Sequence, residues 1–192
     1  MKKITLILIL ATLTISAWAQ KSSVQPFGIK SGYMKTDTYQ GKKVTSENLL
    51  WFDDYGRLAK YVTKMDMGEP VGLWSATTIM NGEKNWIINA DGAVQEGTGR
   101  PEIVFGQLTP EMKAKMKFKD LGTETYKGKT CNKYYYEIKQ MGMKSKITSW
   151  VWKGLILKQQ IKQTFGSFNI ELSELQENVP VPASTFKVPK SK

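Results

Sequence analysis

The chain contains no histidine, a single cysteine at position 131 and only two arginines, Arg57 and Arg100, among its 192 residues. Without histidine, nucleophilic triads that draw on an imidazole base are excluded, and so are zinc sites built on histidine. One cysteine cannot close an internal disulfide. With no imidazole to activate its thiol, Cys131 is expected to be a small buried hydrophobe. The shortage of arginine matters because the net charge is +11, so lysine carries nearly all of it. Nucleic-acid readers favour arginine for bidentate contacts, and nucleic acid is therefore not an expected partner. The charge reads as a solvated lysine surface, with an anionic membrane surface as the partner it could meet through those lysines. A glycine-rich phosphate loop is lacking too, since Gly97-Thr98-Gly99 neither follows a strand nor opens a helix. The adjacent acidic pair Asp53-Asp54 precedes Tyr55-Gly56 in what reads as a hairpin tip, where Asp serves the turn backbone. No catalytic residue, metal or cofactor is expected.

Long apolar runs are also missing beyond the first few residues. Lys2 and Lys3 precede an apolar run from Ile4 to Ile15, and Ala17-Trp18-Ala19 supplies the small residues a signal peptidase cleaves after. The run falls short of the roughly 20 residues that span a bilayer. Residues 1–19 therefore read as a cleavable secretory signal peptide, 20–27 as a polar leader, and 28–192 as a single domain. A lipid anchor would require a cysteine just after the apolar run, and Cys131 lies far from it. A periplasmic, unanchored monomer is the expectation.

What the chain has in quantity is glycine-bearing turns. Gln40-Gly41-Lys42, Asn81-Gly82, Asp91-Gly92, Lys127-Gly128-Lys129, Lys153-Gly154 and Phe165-Gly166 recur at short intervals, as an antiparallel meander requires. Between them residues alternate: Tyr134, Tyr136 and Ile138 oppose Lys133, Tyr135, Glu137 and Lys139, while Phe168, Ile170 and Leu172 oppose Asn169, Glu171 and Ser173. One amphipathic helix is predicted over Thr109 to Leu121, with Thr109 as cap, Pro110 in the first turn, Met112 and Met116 on one face, and Gly122 as the stop.

Large and soft apolar side chains are abundant. Tryptophans at 51, 74, 86, 150 and 152 join methionines at 34, 65, 67, 80, 112, 116, 141 and 143. Methionine adapts to irregular apolar shapes, so these residues either line a site for a flexible hydrophobic ligand or fill the core between sheet and helix.

Gly128-Lys-Thr-Cys-Asn-Lys-Tyr-Tyr-Tyr-Glu-Ile, Ser149-Trp-Val-Trp-Lys-Gly-Leu-Ile-Leu-Lys-Gln-Gln and Asn178-Val-Pro-Val-Pro-Ala-Ser-Thr-Phe-Lys-Val-Pro follow one another in the C-terminal part. In that order, after a signal peptide, hairpins and a central helix, the chain resembles the periplasmic lipoprotein-carrier superfamily, the LolA-like outer-membrane lipoprotein-sorting group. The features that match are Trp150, Trp152, Leu157, Lys158, Asn178, Pro180, Phe186 and Pro189. The resemblance implies a mainly β fold, an incomplete antiparallel β-barrel with a helix on its concave face that can hold acyl chains. The function so expected is non-enzymatic carriage or sensing of a hydrophobic or acylated ligand, with Trp74, Trp86, Met112, Met116, Trp150 and Trp152 as the candidate contacts and the helix as gate. The alternative is an envelope interaction module with a filled core.

Overall fold

The computed structural model describes residues 25–189 apart from positions 71 and 141; the expected signal peptide, 1–19, and most of the expected leader, 20–27, lie outside the described residues. Eleven strands form one antiparallel sheet: β1 (Gly32–Gln40), β2 (Lys43–Asp53), β3 (Leu58–Asp66), β4 (Leu73–Asn81), β5 (Lys84–Ile88), β6 (Val94–Thr98), β7 (Lys119–Tyr126), β8 (Lys129–Gln140), β9 (Met143–Trp152), β10 (Leu155–Gln163) and β11 (Gly166–Glu177). Sheet order is β6-β5-β4-β3-β2-β1-β11-β10-β9-β8-β7. Two meanders therefore meet at a β1–β11 seam, where Gly32 faces Glu177 and Tyr39 faces Asn169. The sheet curves into an incomplete barrel that leaves β6 and β7 as its edges, as the resemblance implied. No helix among the described residues is long and apolar enough to cross a membrane.

The hairpin turns follow from their residues. Lys153 (φ 49°) and Gly154 (φ 83°) both take positive φ, the conformation that two-residue hairpins favour because its twist matches the strands. Gly154 is obligatory for a second reason: a Cβ there would stand 2.1 Å from the Pro26 carbonyl oxygen. At the β2–β3 tip, Asp53 accepts a 2.7 Å hydrogen bond from the Asp54 amide, the turn role read from the sequence.

Residues 99–118 connect the two edges across the concave face, and this strap contains α1 (Pro110–Lys115). The helix is shorter than the Thr109–Leu121 expected. Thr109 does cap it, accepting from the Met112 amide at 3.2 Å. The end comes early because Lys117 turns to φ 48° and the Met116 carbonyl accepts a 2.7 Å bond from the Glu137 amide of β8. Gly122, expected to stop the helix, instead lies at an irregularity of β7, where its amide donates to Asp120 at 2.8 Å.

Two apolar clusters result. One closes the end of the barrel where Phe27, Phe52, Ala59, Met80, Leu155 and Leu157 meet, and Cys131 is fully buried within it. The other lies under the strap, where Ile103 and Leu108 pack on Tyr136 and Ile147, with Met112, Met116 and Phe118 against them. Phe105 stacks on Tyr134 at 4.9 Å, which pins the strap to β8.

Candidate functional site

Between the sheet and the strap lies a cavity of about 390 Å³, within the range of small-molecule sites. One wall comes from β1 to β4. Cross-strand pairing sets Thr36, Asn48, Thr63 and Ala76 in a row, with Met34, Leu50, Tyr61 and Thr78 beside it. The facing wall comes from β8 to β11, with Tyr136, Ile147, Ile161, Phe168 and Ile170. Pro101, Glu102 and Ile103 of the strap complete it. Phe165, in the β10–β11 turn, lines the cavity yet is 48% exposed, so it marks the mouth. The Phe27–Phe52 cluster closes the opposite end.

Polar groups inside are mostly matched. The Tyr136 hydroxyl and Ser149 Oγ share a 3.0 Å hydrogen bond, and Gln159 Nε2 donates to both. Burial pushes the Tyr136 phenol up to about 12, less than it would without those two partners, so it stays neutral. Across the cavity Asn48 donates to Thr38 and accepts from Thr63, both at 3.1 Å.

A charged group is also present. Arg100 pairs through Nε with Glu102 Oε1, and its Nη2 donates to the Tyr61 hydroxyl at 3.3 Å. Both members of the pair are largely buried, at 12% and 16% side-chain exposure. Burial, and then the Glu102 charge, hold the Tyr61 phenol well above its ordinary value. Burial opposes the Arg100 charge, but Glu102 and Tyr61 outweigh it and keep the guanidinium protonated.

The strap is fastened by Glu137, which receives Lys144 at 2.8 Å and Lys117 at 3.2 Å. Lys144, then Tyr135 and Lys117, hold its carboxyl down at about 2 against an ordinary 4.5. A carboxylate depressed on folding stabilises fully above the unfolded value and loses that effect as pH falls through the folded one. Thermal melts of Glu137→Gln and the parent should therefore differ above pH 4.5 and converge toward pH 2. A constant difference over that window would show that Glu137 does not fasten the strap electrostatically.

The six candidate contacts read from sequence fall in several places, and none lines the cavity. Met112 and Met116 come together under the strap beside Tyr136. Trp74 lies opposite Met65 on the concave side of β4, two residues beyond Ala76 toward the mouth. Trp86 pairs with Ile79 on the other side of the sheet. Trp150 and Trp152 come together on that convex side, where Lys133 and Lys158 cover the Trp150 ring at 4.7 and 4.9 Å. Lys129 and Lys153 cover Trp152 at 4.2 and 4.6 Å. The residues not singled out are the threonines and Ala76 of β1–β4 and the Arg100–Glu102 pair. Their signal was the alternation Met34-Thr36-Thr38 against Lys35-Asp37-Tyr39.

The geometry defines a class: an incomplete antiparallel barrel with an internal, mostly apolar cavity under a strap. No protein-family profile matches the sequence, and no curated protein matches it. Solved structures do. The MucA/MucB complex of Pseudomonas aeruginosa is similar at a TM-score of 0.50 and 11% identity, covering 83% of this chain and 56% of that one. This chain thus spans just over half the length of that neighbour. The lipoprotein LppX of Mycobacterium tuberculosis is similar at a TM-score of 0.40 and 15% identity, covering 81% and 90% of the two chains. LprF of Mycobacterium bovis follows at 0.41 and 13%, covering 84% and 91%. The likeness is one of fold.

Proposed function

We propose that this protein is a non-enzymatic binding protein that holds a hydrophobic or acylated ligand in the cavity under the strap, as a carrier or sensor in the periplasm. The observation that carries this reading is the cavity itself, about 390 Å³ between apolar walls with a half-exposed mouth. A filled interior would have favoured the interaction module instead. Each buried methylene contributes about 0.8 kcal/mol, so ten of them supply roughly 8 kcal/mol before association costs. The test is native mass spectrometry of the purified protein together with titration of the neutral probe N-phenyl-1-naphthylamine. Co-purified lipid or saturable probe binding supports the reading; a ligand-free protein that ignores the probe overturns it.

The mouth also favours an anionic membrane surface as the place of loading or release. Val44, Met67, Leu73 and Phe165 are exposed apolar residues on strand ends and turns at this end of the barrel, and Leu73 is 86% exposed. Lys42, Lys43, Lys146 and Lys162 are exposed near them and lack an ion-pair partner among the described residues. Insertion of apolar side chains beside lysines suits an anionic bilayer. Vesicles containing phosphatidylglycerol should bind the protein more tightly than pure phosphatidylcholine, and the double change Leu73→Ser, Phe165→Ser should weaken binding about tenfold. Equal affinity for both vesicle types would remove the membrane from this account.

A further inference from the structure

The size and shape of the cavity set how much of a lipid it can take. An apolar protein cavity of about 150 Å³ holds benzene, about 25 Å³ for each carbon, so a space of about 390 Å³ takes about 16 carbons. Two long acyl chains would need twice that. The space is also elongated. Its lining follows β10 from Leu155 to Gln163, about 25 Å of strand, whereas a round cavity of the same volume would be about 9 Å across. Spread over that length, the volume leaves room for one file of methylenes.

The two ends of this slot differ. One is shut where Phe27 meets Phe52 edge to face at 5.0 Å, with Met34, Leu50 and Leu155 in the same buried cluster. The other is open beside Phe165. Toward the opening the β1–β2 wall passes from Met34 and Leu50 to Thr36 and Asn48, and then to Thr38 and Ser46. Polar groups farther in are taken up within the protein: Tyr136, Ser149 and Gln159 bond one another, and Arg100 pairs with Glu102. A head group drawn to the shut end would lose its water without gaining a partner.

We infer that the cavity holds a single acyl chain of about 16 carbons, its tail against the Phe27–Phe52 end and its head at the mouth. It therefore selects single-chain lipids, a lysophospholipid or a free fatty acid, over lipids with two or three chains. The inference rests on the ligand-binding reading above and names the class of lipid that reading leaves open. A second chain would stay in water and forfeit its share of the burial.

The test is displacement of N-phenyl-1-naphthylamine by lysophosphatidylcholines with acyl chains of roughly 10 to 20 carbons, each below its critical micelle concentration. Affinity should tighten about fourfold for each added methylene and level off near 16 carbons, where the slot is full. Dioctanoyl-phosphatidylcholine has the same head and as many chain carbons as the palmitoyl lysolipid, divided between two chains, and should bind at least tenfold more weakly. Hexadecanoate is titrated in parallel. Displacement by either single-chain ligand at the expected strength supports the assignment, and which of the two displaces identifies the source of the chain. Native mass spectrometry of the complex should show one lysolipid on each protein. Equal or tighter binding of the two-chain lipid, tightening that continues to the longest chain, or two lysolipids on one protein overturns the single-chain assignment and leaves the cavity reading intact. A protein that binds neither the probe nor any of these lipids overturns both.

Discussion

Phe27→Ala is expected to lower the stability of the protein by about 3–5 kcal/mol, the range for emptying a large aromatic site in a core. Phe27 is 3% exposed and meets Phe52 edge-to-face at 5.0 Å. Its backbone is fixed on both sides, with the Phe27 amide donating to the Tyr55 carbonyl at 3.0 Å and Gly28 to Lys153 at 2.8 Å. The surroundings cannot collapse readily onto the gap. Gly56 sits so close that a Cβ there would come within 2.4 Å of the Phe27 ring, and its φ of 85° is the left-handed conformation glycine allows. Urea unfolding monitored by tryptophan fluorescence measures the loss. A change below about 1 kcal/mol would mean that the ring only covers the barrel end.

Ala76→Trp should abolish binding of the apolar probe, weakening it at least a hundredfold, or about 2.7 kcal/mol. Ala76 lines the cavity from β4, at the end of the row with Thr36, Asn48 and Thr63, so an indole there occupies ligand space. Overpacking a filled core costs about 1–3 kcal/mol, and existing space should keep the cost toward the lower bound. Thr77→Trp is the control. Thr77 points to the opposite side of the same strand, so its replacement should leave probe affinity unchanged. If both variants bind like the parent, the ligand does not occupy the cavity.

Much of this fold was legible because its rules are local. Glycine turns and alternating strands such as Lys129–Gln140 announce themselves within a few residues, and Thr109-Pro110 marks the helix start. The helix end was hidden because it is set from outside, by the Glu137 amide of β8 and the stacking of Phe105 on Tyr134. The cavity was hidden for a related reason. Thr63 and Ala76 look unremarkable along the chain, and only strand register sets them in a row with Thr36 and Asn48. Register likewise sets Lys133 and Lys158 on either side of Trp150. Bulk drew the reading toward tryptophan, while the space is bounded by smaller side chains. Phe27 was assigned to a polar leader because one aromatic among polar residues carries no period. Its burial depends on partners at 52 and 56.

The seam between β1 and β11 sets when the barrel can form as well as how. Gly32 waits for Glu177 and Thr36 for Leu172, so no fragment emerging from the ribosome holds both sides of the central pairing until β11 has been made. Folds dominated by such distant pairings are slow to assemble, in the range of milliseconds to seconds for small domains. Late closure also leaves the strands of both meanders exposed to other partners until the seam pairs.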